Sequence, residues 1–230
     1  MKFFRLLIPF LLAVAAYAQQ GFPFTNEGLK YTVNYSGGLN LGDAAFNATH
    51  SAKGWEFQAS VNANVPGFPI TDTLRASAND ELCSTQFVRD LNNGSKKTRE
   101  KTTFDQQSGK GHRVTTAPAD GGDSSFTIPS CARDALSYVY YARRELGQGR
   151  VPHTQDIYFG GSYSAHMDYT GAQTLTLKGK PVVTDHLVIG VKGARSDFSF
   201  EVFYARDAAR TPLEIRIPAP AGTLTADLVQ

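Results

Sequence analysis

Apolar and polar residues alternate without a break through Trp55-Glu56-Phe57-Gln58-Ala59-Ser60-Val61-Asn62-Ala63-Asn64-Val65. Every odd position is apolar and every even one polar. A period of two gives one buried and one wet face only in a β-strand. Segments 29–36 and 43–51 come before it, separated by Ser36-Gly37-Gly38 and Leu41-Gly42. Strands joined by glycine-rich connections read as antiparallel hairpins. The same pattern predicts strands over 73–78, 85–91, 98–105, 112–116, 155–159, 162–169, 173–177, 182–192, 198–205, 213–217 and 223–228. That is about fourteen short strands at the spacing of an all-β protein. Segment 98–105 is polar on both faces and is expected near an edge or a barrel rim.

One segment departs from the period of two. Ala132, Ala135, Leu136, Val139, Tyr140 and Leu146 fall largely on one face at helical spacing. They predict an amphipathic helix over about 131–146, capped by Ser130 and stopped by Gly147. A single helix among strands is expected to pack on the sheet or plug the open side of a barrel. Residues 117–125 are rich in Pro, Asp, Gly and Ser and read as a loop. No internal repeat is present.

The first residues carry a different signal. Lys2 and Arg5 precede an apolar run of eleven residues, Leu6 to Ala16, followed by the small-x-small triplet Ala16-Tyr17-Ala18. This is the make-up of a cleavable secretory leader over 1–18, and the run is too short to span a hydrocarbon core of roughly 30 Å. The mature chain, 19–230, is expected to be one β domain. No Cys follows the cleavage triplet to accept a lipid, and no later run of eighteen apolar residues offers a transmembrane span, so a soluble periplasmic or secreted protein is expected. The chain has 23 basic and 21 acidic residues. Removing Lys2 and Arg5 with the leader brings the balance to zero. A neutral domain lacks the positive field that nucleic acid or anionic lipid calls for.

Cys83 and Cys131 are the two cysteines. An even count in an exported chain reads first as a disulfide, although spacing alone does not show that the sulfurs meet. His50, His112, His153, His166 and His186 make no close ligand pair with each other or with a Cys, so no metal or cofactor site is read. There is no nucleophile elbow, Walker loop or dinucleotide fingerprint, and no catalytic residue is assigned. The helix carries the densest polar group, Arg133, Asp134, Arg143, Arg144 and Glu145. Asp134 suits the positive end of the helix dipole, and Arg143 and Arg144 suit the other. Arg133 or Arg143 facing a cavity would meet an anionic ligand head. Phe22-Pro23-Phe24 and Val65-Pro66-Gly67-Phe68-Pro69-Ile70 read as core-covering loops or as flaps over an apolar pocket. Phe68, Arg133, Tyr141 and Arg143 are therefore the candidate ligand-binding residues.

Four stretches, in order, resemble the bacterial domain-of-unknown-function family 3108. They are Phe24-Thr25-Asn26-Glu27-Gly28-Leu29-Lys30-Tyr31-Thr32-Val33-Asn34-Tyr35 with Gly38 and Gly42; Phe104-Asp105; Arg133-Asp134-Ala135-Leu136-Ser137-Tyr138-Val139-Tyr140-Tyr141-Ala142-Arg143; and Asp207 to Ile217, with Pro212 leading the strand over 213–217, followed by 222–228. Cys131-Ala132-Arg133 replaces the amide-bearing turn common before the Asp of the helix motif. The resemblance implies a cell-envelope β protein with a highly curved antiparallel sheet, like an open or lipocalin-like barrel. It implies no established activity and carries over no catalytic residue. A curved sheet of alternating strands can enclose a cavity. The leading expectation is thus a non-enzymatic envelope protein binding a lipid or other apolar or amphiphilic ligand. The alternatives are a structural role with an envelope protein partner, and a hydrolase of envelope polymers.

Overall fold

A computed structural model describes residue 23 and residues 25–65, 68–194, 196–219 and 222–229; for residues 65 and 68 only the backbone is described. Residues 1–18, over which a leader is expected, and Phe22, Phe24, Pro66 and Gly67 lie outside the described residues. The alternation found in the sequence becomes strands: β1 (Asn26–Tyr35), β2 (Leu39–Ser51), β3 (Gly54–Val65), β4 (Phe68–Ala78), β5 (Ser84–Asn93), β6 (Lys96–Asp105), β7 (Lys110–Ala117) and β8 (Asp123–Thr127). The two-residue β9 (Arg133–Asp134) leads into α1 (Ala135–Gly147). After it come β10 (Gln155–Tyr158), β11 (Ser162–Leu177), β12 (Lys180–Lys192), β13 (Asp197–Ala205), β14 (Pro212–Ala219) and β15 (Gly222–Leu228).

All fifteen strands form one sheet in the order β8-β7-β6-β5-β4-β3-β2-β1-β15-β14-β13-β12-β11-β10-β9. Every pairing is antiparallel except β9 with β10. The first and last strands meet in the middle of the sheet, where Tyr31 of β1 lies opposite Leu228 of β15. The sheet is large and curved and does not close into a barrel. Where its two arms approach, side chains and turn backbone replace a ladder. Ser84 N donates to Ala132 O at 2.9 Å. Gln106 Nε2 donates to the carbonyls of Ser84 and Ala132, at 2.6 and 3.0 Å. Arg113 donates to Gly160 O.

The helix sits inside this curve. Leu136 and Tyr140 pack with Trp55, Phe57, Phe87 and Phe104 of the first arm. Tyr138, Ala142 and Leu146 pack with Leu187, Ile189 and Val202 of the second. One helix is therefore apolar on two faces because it separates two halves of the core. It lies across the end of the sheet that carries the β4–β5 and β13–β14 connections. Arg144 donates to Asp80 O and Glu81 O, at 3.2 and 3.1 Å. Arg143 Nε donates to Ala209 O and Arg210 O, at 3.1 and 3.2 Å.

Three element boundaries differ from the sequence expectation. The helix begins at Ala135 rather than 131, and its cap is Asp134 rather than Ser130. Cys131 has a φ of 56°, which no helical turn accepts, and Arg133 and Asp134 are extended. Residues 123–127, read partly as loop, form β8, where Phe126 stacks on Tyr158 with ring centroids 5.4 Å apart. The strands expected over 162–169 and 173–177 are one strand, β11. Its register against β12 shifts at Gly171, whose φ of 119° accommodates a bulge. The polar segment expected near an edge is β6, third in from the β8 edge.

Candidate functional site

The second arm of the sheet and the helix enclose a cavity of about 520 Å³. Its walls follow from register. Ala165 of β11 is opposite Val191 of β12, which is opposite Phe198 of β13; in the next inward row Met167, Ile189 and Phe200 align likewise. Alternate residues of each strand therefore face the same space. Tyr138 and Val139 of α1, Ile215 and Ile217 of β14, and Leu29 and Tyr31 of β1 add to the lining. It is almost wholly apolar, the character of a small-molecule site.

The two ends of the cavity differ. At the helix end, Arg143 is 1 % exposed and its guanidinium forks onto Glu27, with Nη1–Oε2 at 2.7 Å and Nη2–Oε1 at 2.6 Å. Tyr31 closes the same end by donating its hydroxyl to Pro212 O at 2.8 Å. At the other end Phe198 is 50 % and Ile217 44 % exposed, and Ser196 is exposed, so the cavity opens beside the β12–β13 and β14–β15 hairpins. Burial pushes the phenols of Tyr31, Tyr138 and Tyr140 up, and that of Tyr204 to about 12. Among the described lining residues the ionisable groups are these tyrosines, Tyr163 and Arg143, and none of these lining residues is a carboxylate, histidine or cysteine.

The helix start is fixed by a buried network. Asp134 accepts from Leu136 N at 2.8 Å, Ser137 N at 3.0 Å, Ser84 Oγ at 2.5 Å and Ser137 Oγ at 2.7 Å. Burial pushes its carboxyl up, and these hydrogen bonds offset only part of that rise. Beside this network Cys83 and Cys131 form a disulfide with Cα atoms 4.6 Å apart. It ties the start of β5 to the turn before the helix.

The four candidate ligand residues separate. Arg143 lines the cavity, with its charge already met by Glu27. Arg133 and Tyr141 are not among the lining residues. The Arg133 guanidinium lies 3.8 Å above the Tyr141 ring and donates to Gln155 Oε1 at 3.0 Å. Phe68 opens β4 opposite Val65, and its side chain is outside the description. The sequence reading missed the walls themselves: Met167, Ile189, Phe200, Val202 and Tyr204. The even-numbered apolar run Phe198, Phe200, Val202, Tyr204 is the signal that marks one strand of them. A second pocket, about 370 Å³, lies at the seam, and its mixed lining includes Thr102, Arg113, Asp156, Phe126 and Tyr158.

Comparison with known proteins agrees with this architecture. A family model described as "Protein of unknown function (DUF3108)" matches residues 30–229. No curated protein matches. Among solved structures, the crystal structure of a beta-barrel-like protein of domain of unknown function DUF1849 from Brucella abortus is similar with a TM-score of 0.65. The likeness covers 90% of this chain and 97% of that one, at 10% identity, and shows the fold alone. The match over 30–229 takes in every strand from β2 to β15, the helix and the cavity walls, and on it the chain belongs to the DUF3108 family of proteins of unknown function.

Proposed function

We propose that this protein is an exported, non-enzymatic component of the cell envelope that binds a hydrophobic or amphiphilic ligand in the cavity between α1 and β11–β14. The observation that carries the reading is an apolar cavity of about 520 Å³ with one open end. Burying a ligand there removes apolar surface from water, at about 25 cal/mol per Å². Among the described residues the lining offers no nucleophile with a base beside it, which favours binding over catalysis. The leader-like residues 1–18 and the Cys83–Cys131 disulfide both suit an oxidising compartment outside the cytoplasm.

The test is organic extraction and mass spectrometry of the protein purified without detergent from the envelope fraction of its native cells. A stoichiometric lipid or other apolar small molecule is expected. Its consistent absence would overturn the reading and favour a structural role with an envelope protein partner.

A further inference from the structure

We propose that the ligand is an amphiphile with an extended hydrocarbon tail, held tail first, with its uncharged end against the helix end of the cavity and its polar head at the hairpin rim. The proposal rests on the cavity being a ligand site and goes on to say which molecules fit it and which way round.

Shape gives the extended tail. Along β13 the cavity wall runs from Phe198 to Tyr204, six residue steps, or about 20 Å at the rise of a strand. A hydrocarbon tail lying along that wall meets apolar side chains over its whole length.

Charge gives the direction. Among the described residues the one charged side chain in the lining is Arg143, and Glu27 meets its guanidinium with both carboxylate oxygens. A carboxylate or phosphate brought to this end would be desolvated and would face Glu27; a cation would face Arg143. The closed end thus has room for a methyl group and none for a second charge. Between the ends the wall is Val202, Phe200, Ile189, Met167 and their neighbours, which suit methylene groups. At the rim Ser196 is exposed and Lys192 is exposed beside the lining residue Val191, so a polar head there keeps its water.

The experiment compares two acids of one length. N-phenyl-1-naphthylamine serves as the reporter, and hexadecanoic acid and hexadecane-1,16-dioic acid compete with it at pH 8, below the concentrations at which they aggregate. The monoacid is expected to displace the reporter at least tenfold more effectively than the diacid. In Glu27→Gln, where Arg143 loses its counter-charge, the diacid is expected to gain and the gap to narrow. Equal competition by the two acids in the wild-type protein would overturn the proposal while leaving ligand binding intact. An unchanged gap in a folded Glu27→Gln protein would overturn the role given to the ion pair, and the proposed direction with it. If neither reporter nor acid binds, the ligand-binding reading falls and this one with it.

Discussion

Tyr31, Tyr138, Tyr140 and Tyr204 each leave at most 3 % of their surface exposed, and burial raises the pKa of all four phenols above the ordinary value of 10.0. A group whose folded pKa is raised contributes stability that is complete below its unfolded pKa and is lost as pH climbs. The loss here begins near pH 10 and grows by about 1.4 kcal/mol per group per pH unit until the folded value is reached. Four such groups are expected to unfold a domain of ordinary stability, about 5–15 kcal/mol, within a few pH units above 10. Tyrosinate absorbance followed together with circular dichroism checks this. The four phenols are expected to ionise late and in step with loss of the β signal; ionisation near pH 10 with the fold intact would contradict their burial. At this scale the sequence was partly legible. Arg143 stood out as a charge on a helix that could face a cavity, and it does line one. Its partner Glu27 lies 116 positions away, and nothing in local spacing links the two.

At the scale of elements, the strands were the legible part, because alternation is a property of each strand by itself. The helix start was not. Ser130 is a good capping residue on composition, yet the disulfide turn at Cys131 and the extended Arg133–Asp134 pair place the cap four residues later. What holds α1 in the curve is the pair Arg143–Glu27, which joins the last turns of the helix to the start of β1. Breaking a buried pair from one side leaves a charge without a partner, so Arg143→Met is expected to cost about 3–5 kcal/mol. Adding Glu27→Leu removes the orphaned charge and is expected to recover a large part of that loss. Urea unfolding of the two single variants and the double variant measures the coupling. Additive losses would show that the pair does not dock the helix. The disulfide acts on the same element from its other end. Its cysteines are 48 positions apart, and closing a loop of that length stabilises a fold by about 4 kcal/mol on the chain-entropy model.

For the whole molecule, fold class was legible and the cavity was not. An all-β chain with one helix follows from counting periods, but whether a curved sheet is filled or hollow depends on which faces turn inward and how far the arms stand apart. That is set by pairings such as β1 with β15, whose residues are separated by most of the chain. The helix sits between the two arms and fills the space on its first-arm side with Trp55, Phe57 and Phe104, while the second-arm side stays open. The central claim is that this open side takes a ligand, and fluorescence titration of purified protein with N-phenyl-1-naphthylamine, alongside Ala165→Phe, tests it most directly. Ala165 is fully buried in the cavity wall, in the row of Val191 and Phe198 next to the rim, so a phenyl ring there blocks the mouth of the cavity. Saturable binding of one probe per chain, weakened at least tenfold in a folded Ala165→Phe variant, is expected; no saturable binding, or equal binding by both proteins, would contradict the claim.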